Sequence, residues 1–192
     1  MISRQVIILL VLSFGILFVD GDASGDLQDL SLECQHGYRL SALRRSPPVR
    51  GRLGALTVEC DLVATDVSQV TCDRLRTIPG CDGTSEGCSD DSWLAGFHVY
   101  TLENKTGAVI LDPVCCSAPN VAIDGKSCIT DRLNKPRNQF DHALADNVVY
   151  RGMKCHHYFN NEQLLDDIVW KLEICPAQSV AQRERANFIK TS

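Results

Sequence analysis

Residues 144–175 read LADNVVYRGMKCHHYFNNEQLLDDIVWKLEIC, and the end of this stretch decides the fold. Ile168, Trp170, Leu172 and Ile174 alternate with Val169, Lys171 and Glu173, the period-two pattern of a half-buried strand. That strand runs straight into Cys175. Val148-Val149-Tyr150-Arg151-Gly152-Met153 reads as a second strand, and the polar Asn160-Asn161-Glu162-Gln163 between the two reads as a turn. Two strands, a turn and a closing cysteine make one unit.

Working outward, the chain holds two earlier copies. In the first, Leu30-Ser31-Leu32-Glu33-Cys34 alternates, Leu40 follows Cys34 by six residues, and Leu56-Thr57-Val58-Glu59-Cys60 alternates into the closing cysteine. In the second, Leu94 follows Cys88 by six residues, and Val109-Ile110-Leu111 leads to Cys115. The cysteine separations are 26 and 27 residues. In the third, Tyr150-Arg151-Gly152-Met153 takes the register of Leu94-Ala95-Gly96-Phe97, and Leu144 replaces the opening cysteine. Cys175 is then either bonded differently from the other closing cysteines or paired with Cys155 inside its own unit. Repeats at this spacing are supersecondary units that cannot bury an apolar face alone. The sequence predicts an all-β fold of three related disulfide-linked β units, about 28–62, 82–116 and 138–175, in one domain over residues 24–175. A pseudo-threefold prism or barrel is the expected closure, because it buries each apolar face and removes strand edges. Residues 77–91 and 117–138 read as connectors, and residues 176–192 as a flexible polar tail.

The address follows from the first 23 residues. Arg4 supplies a positive start, residues 6–19 are a 14-residue apolar run, and Gly21 and Ala23 offer a cleavage site, the plan of a signal peptide. The run falls short of the ~20 residues of a membrane span, so a secreted protein with no membrane span is expected. Removing it leaves 18 basic and 22 acidic residues, a net charge of −4, which gives no reason to expect nucleic acid as a partner. All ten cysteines remain: Cys34, Cys60, Cys72, Cys81, Cys88, Cys115, Cys116, Cys128, Cys155 and Cys175. An even count in an oxidising compartment argues for disulfides, and the lack of any CxxC argues against zinc. The repeat assigns Cys34–Cys60 and Cys88–Cys115. The other six allow 15 pairings, with Cys115 and Cys116 serving different partners because adjacent strand residues face opposite sides.

Asn138-Gln139-Phe140-Asp141, residues 148–152, His157, Asn160-Asn161 and Asp167 to Cys175 together resemble a dermatopontin repeat. The likeness is best over 138–175, fair over 88–116 and thin over 34–60. It departs from the family where Asp167-Ile168 stands for an Asp-Arg pair and where the first two units lack the tryptophan. The three-unit plan also resembles the vitelline-membrane outer-layer β-prism proteins. Either resemblance implies a secreted, mostly β, non-enzymatic matrix or coat protein. The dermatopontin likeness implies association with proteoglycans, collagen or other matrix proteins, with adhesion or matrix assembly as the role. A self-associating egg-coat or cuticle protein and a lectin-like defence protein are the alternatives.

Among features that carry chemistry, Arg39, Arg44, Arg45, Arg50 and Arg52 lie within 14 residues around Pro47-Pro48. Arginine forks bind sulfate and carboxylate bidentately, so a proline-stiffened loop here would take a sulfated glycosaminoglycan. The competing reading pairs these arginines with Glu33, Glu59, Asp61 or Asp66. His156-His157 near Asp166-Asp167 suggests a metal, but adjacent strand histidines point apart. No nucleophile elbow, zincin, phosphate-loop or dinucleotide motif occurs, so neither an enzyme nor a cofactor is expected. Asn104-Lys105-Thr106 is the one glycosylation sequon, placed in the turn of the second unit.

Overall fold

The alternating segments become strands, and each repeat becomes a long antiparallel hairpin. The computed structural model describes residues 30–64, 66–75, 77–88 and 91–179; the expected signal peptide at residues 1–23 and most of the expected tail, residues 180–192, lie outside them. Over the described residues the fold is all-β, apart from one 3-10 turn at Val67–Gln69, and no helix is long and apolar enough to cross a membrane. The first unit contains β1 (Leu30–Glu33), β2 (Tyr38–Arg45) and β3 (Leu56–Leu62), followed by β4 (Thr71–Arg74). The second has β5 (Glu86–Gly87), β6 (Ser92–Glu103) and β7 (Ala108–Ser117), followed by β8 (Val121–Ile123) and β9 (Ile129–Arg132). The third has β10 (Phe140–Ala143), β11 (Val148–Phe159) and β12 (Leu165–Ser179). Residues 117–138, expected to be a plain connector, therefore carry two strands.

All three hairpins bulge at the same place. The register jumps between Leu40 and Ala42 in β2, between Leu94 and Gly96 in β6, and between Tyr150 and Gly152 in β11. Ser41, Ala95 and Arg151 are the extra residues, each leaving the ladder locally unpaired. Their carbonyls are taken by another unit: Cys34 N donates to Ala95 O, Cys88 N to Arg151 O, and Leu144 N to Ser41 O, each at 2.8 Å. The strand before each donor pairs with the same hairpin. Glu33 lies opposite Gly96, Gly87 opposite Gly152, and Ala143 opposite Ala42. The first unit thus lends a strand to the second, the second to the third, and the third back to the first. Around this ring the sheets are unequal, with four, three and five strands. The difference comes from β4 on β7, and from β8 and β9 on β12.

The disulfides follow the register. Cys34–Cys60 and Cys88–Cys115 join the opening and closing strands of the first two units, as the repeat assigns. Cys72–Cys116 and Cys128–Cys175 staple β4 to β7 and the start of β9 to β12. Cys81–Cys155 ties the loop before β5 to β11. Cys175 therefore matches Cys116, not Cys60 or Cys115. Ile174 lies opposite Tyr150 as Cys60 lies opposite Leu40 and Cys115 opposite Leu94. In the third unit the cysteine pair is replaced by Leu144 and Ile174, both packed in the core.

The core is filled by inward positions of all three hairpins, among them Leu40, Phe97, Leu111, Met153, Ile168 and Leu172. Burying each such side chain contributes roughly 1.5–3 kcal/mol. The chain does not leave the domain at Cys175. Pro176 O accepts from Asp124 N and Ala177 N donates to Asn147 O, both at 2.9 Å, which carries β12 to Ser179 beside β8. Proline is tolerated there because only its carbonyl is used. Asn104 is exposed in the turn between β6 and β7.

The seam between β1 and β6 is too close for a side chain. A Cβ on Gly96 would stand 2.6 Å from both Glu33 Cα and Leu32 O. Gly96→Ala should lower stability by about 2 kcal/mol, read as a shift in the urea midpoint of the oxidised protein. Gly80→Ala, where a Cβ meets nothing within 4 Å, should stay within about 0.5 kcal/mol.

Candidate binding site at the hairpin tips

The five arginines do not form one exposed surface. Residues 38–45 are a strand between β3 and β10, so arginines placed on it are drawn into the structure. Arg45 is 3% exposed. Its Nη1 and Nη2 donate to Asp167 Oδ1 and Oδ2, each at 2.8 Å, and its Nε and Nη2 reach Asn138 O at 3.0 and 2.8 Å. The guanidinium also sits 5.3 Å from the Phe140 ring centre and 5.9 Å from that of Trp170. Asp167, fully buried, accepts in addition from Ile168 N at 2.8 Å and Arg137 N at 2.7 Å. A desolvated ion pair is tolerated only when its remaining lone pairs and protons are satisfied in this way. Arg39 is 2% exposed; it donates to Ala145 O at 2.9 Å and to Val148 O, and meets Asp61 at 3.4 Å. Arg44 is half-exposed and shared between Glu59 and Asp141. The pairing of Arg39 with Asp61 and of Arg44 with Glu59 is the competing sequence reading.

Arg50 and Arg52 remain. Both are exposed, and neither guanidinium has an ion-pair or hydrogen-bond partner among the described residues. They sit in a tight turn in which Val49 and Arg52 exchange two backbone bonds of 3.0 Å. Arg50 and Gly51, between them, both take positive φ, 50° and 79°, the backbone of a type I′ turn. The turn is fixed from outside. Leu53 N donates to Thr106 O at 2.7 Å, and Arg137 Nη2 donates to Gly51 O at 2.8 Å. Thr106 Oγ1 donates in turn to Leu165 O at 3.0 Å. The tips of all three hairpins meet at this end of the molecule.

Between the first and second tips lies a cleft of about 220 Å³, walled by Leu53, Leu56, Val99 and Val109, with Arg52 and Trp170 also lining it. A wider, open groove of about 560 Å³ runs over Arg44, Thr57, Gln139, Phe140 and Asp141. No local pattern marks the tip cleft, because its lining comes from strands more than 100 residues apart. Trp170 was visible only as an inward strand position.

Other groups are accounted for. His156 and His157 are exposed on β11; His157 stacks on Phe159 at 5.9 Å, and His156 lies against Gly83. The metal-capable cluster found among the described residues, Cys128, Glu173 and Cys175, has both sulfurs in one disulfide, leaving no thiolate. A chain missed by sequence reasoning runs from Asp131 Oδ2 to His142 Nε2 at 3.2 Å and from His142 Nδ1 to Tyr150 Oη at 2.5 Å. It has the order of a proton relay. Yet Tyr150 is fully buried, and burial raises its phenol above the ordinary range, so the hydroxyl stays protonated and sealed from substrate. No protein-family model, curated protein or solved structure matches the chain.

Two predictions follow from these charges. Asp167→Asn strips the anion from a buried arginine and should cost about 3–5 kcal/mol, whereas Arg44→Ala should cost under about 1 kcal/mol; chemical denaturation compares them. Asp112 is buried opposite His98, which is engaged by Glu33 at 2.6 Å. Asp112 Oδ1 has no hydrogen-bond partner among the described residues. Desolvation raises its pKa above 3.8, against the pull of His98 and Arg74 and with a push from Glu86. A raised carboxyl favours the folded state when protonated, so that contribution is full in acid and is lost as pH climbs through the folded pKa. Asp112→Asn, which mimics the neutral form, should therefore be more stable than the parent at pH 7 and converge on it near pH 3 in urea titrations.

Proposed function

We propose that the protein is a secreted, non-enzymatic matrix component that binds anionic glycans, in the class of sulfated glycosaminoglycans and proteoglycans. The observation that carries this reading is the state of Arg50 and Arg52: exposed, without a carboxylate partner among the described residues, and held on a turn anchored by Thr106 and Arg137. Anchoring matters because a flexible arginine loses rotamer freedom when it binds, and a fixed turn removes part of that loss beforehand. Five disulfides without a free cysteine among the described residues fit an oxidising, extracellular setting. The resemblance to dermatopontin repeats supports the same class and adds collagen and other matrix proteins as partners.

Salt-gradient elution from immobilised heparin tests this. The oxidised mature protein should be retained beyond an acidic control of similar net charge. The Arg50→Ala/Arg52→Ala double variant should elute with that control, and Arg44→Ala should elute like the parent. Passage of the parent straight through would remove the polyanion reading in favour of neutral sugars, protein partners or self-association.

A further inference from the structure

We propose that the cleft between the first two hairpin tips binds a small amphiphilic anion, a short-chain to medium-chain aliphatic carboxylate. Its walls, Leu53, Leu56, Val99 and Val109, are apolar, and no acidic side chain among the described residues lines it. At its rim Arg52 runs along Gly107: a Cβ built on that glycine would lie 3.8 and 3.9 Å from Arg52 Nε and Nη2. Arg45, which also lines the cleft, has its charge engaged by Asp167, so among the described residues Arg52 is the lining cation open to a ligand.

A second observation is independent of the first. Trp170 lines the same cleft and is fully buried, yet its indole Nε1 has no hydrogen-bond acceptor among the described residues. Trp170 is thus part of the closed wall of the cleft, and its N–H, engaged by no described neighbour, reports on what fills the space. The other tryptophan shows the ordinary arrangement, with Trp93 Nε1 donating to Tyr38 O at 3.1 Å.

The chemistry selects among ligands. A saccharide needs several convergent polar partners and an open aromatic face, while here Thr101 and Arg52 are the main lining polar groups and Trp170 presents no exposed surface. A cation finds no carboxylate. A hydrocarbon chain finds apolar walls, and its carboxylate finds the Arg52 guanidinium at the rim. At about 220 Å³ the cleft lies under the roughly 300–1,000 Å³ of drug-sized sites, which suits a short chain. The proposal goes beyond the glycan reading, with which it shares only Arg52.

The test is titration of the oxidised, ¹⁵N-labelled mature protein with octanoate, followed by the two indole N–H resonances. The Trp170 signal should move saturably while the Trp93 signal stays. Octanol, and octanoate on Arg52→Ala, should bind about tenfold more weakly or worse, the loss of one charge-assisted contact. Thr101→Trp and Leu53→Trp, each with the parent's urea midpoint, should abolish the shift and leave heparin retention unchanged. A Trp170 resonance indifferent to octanoate overturns the proposal, as does octanol binding equal to octanoate, or full binding by both filled variants. Saturable octanoate binding with no heparin retention keeps the cleft ligand and removes the glycan; the reverse result does the opposite.

Discussion

Three backbone hydrogen bonds hold this structure in its ring: the carbonyls of Ser41, Ala95 and Arg151 to the amides of Leu144, Cys34 and Cys88. A bulge turns one carbonyl out of its own ladder, and a buried carbonyl without a donor costs roughly 1–3 kcal/mol. Each unit can satisfy its bulge only with the strand another unit lends. The units are therefore interdependent, and the apolar positions of the hairpins form one core rather than three. Close approach at the seam leaves no room for a side chain at Gly96, and at Gly152 the neighbouring backbone of Glu86 and side chain of Glu173 crowd the same position.

How far the sequence reaches can be judged at particular residues. The alternation from Ile168 to Ile174 and the six-residue step to Leu40, Leu94 and Tyr150 describe the hairpins, and with them two disulfides. Cys175 was misaligned by one position, because side chains alternate faces and a one-residue shift exchanges Cys115 for Cys116 as its counterpart. The arginines were harder. Nothing near Arg45 reveals that Phe140 will lie opposite it in the sheet, or that Asp167 will reach its guanidinium. Burial of a charge is a tertiary event, and local composition reports only that the charge exists. Arg50 and Arg52, beyond the end of the strand, escaped that capture.

The Arg45–Asp167 pair links the architecture to the tip end. It joins the last residue of β2 to β12 and packs between Phe140 and Trp170. Asn134 continues the arrangement along β12, donating to Ile168 O and accepting from Trp170 N, each at 2.8 Å. The strand that carries Trp170 is thus fixed on its side chain and on its backbone. Binding groups set on such a frame lose little freedom on meeting a ligand.

The exchange of a cysteine pair for Leu144 and Ile174 has a consequence for how the chain matures. Two of the three hairpin seams await oxidation of a thiol pair, a reaction of seconds to hours, while hairpins close within roughly 1–10 µs. The third seam needs no oxidant. Burial alone shuts it, so it can stand as a template that holds neighbouring thiols near their native mates while the cell's oxidants act on them.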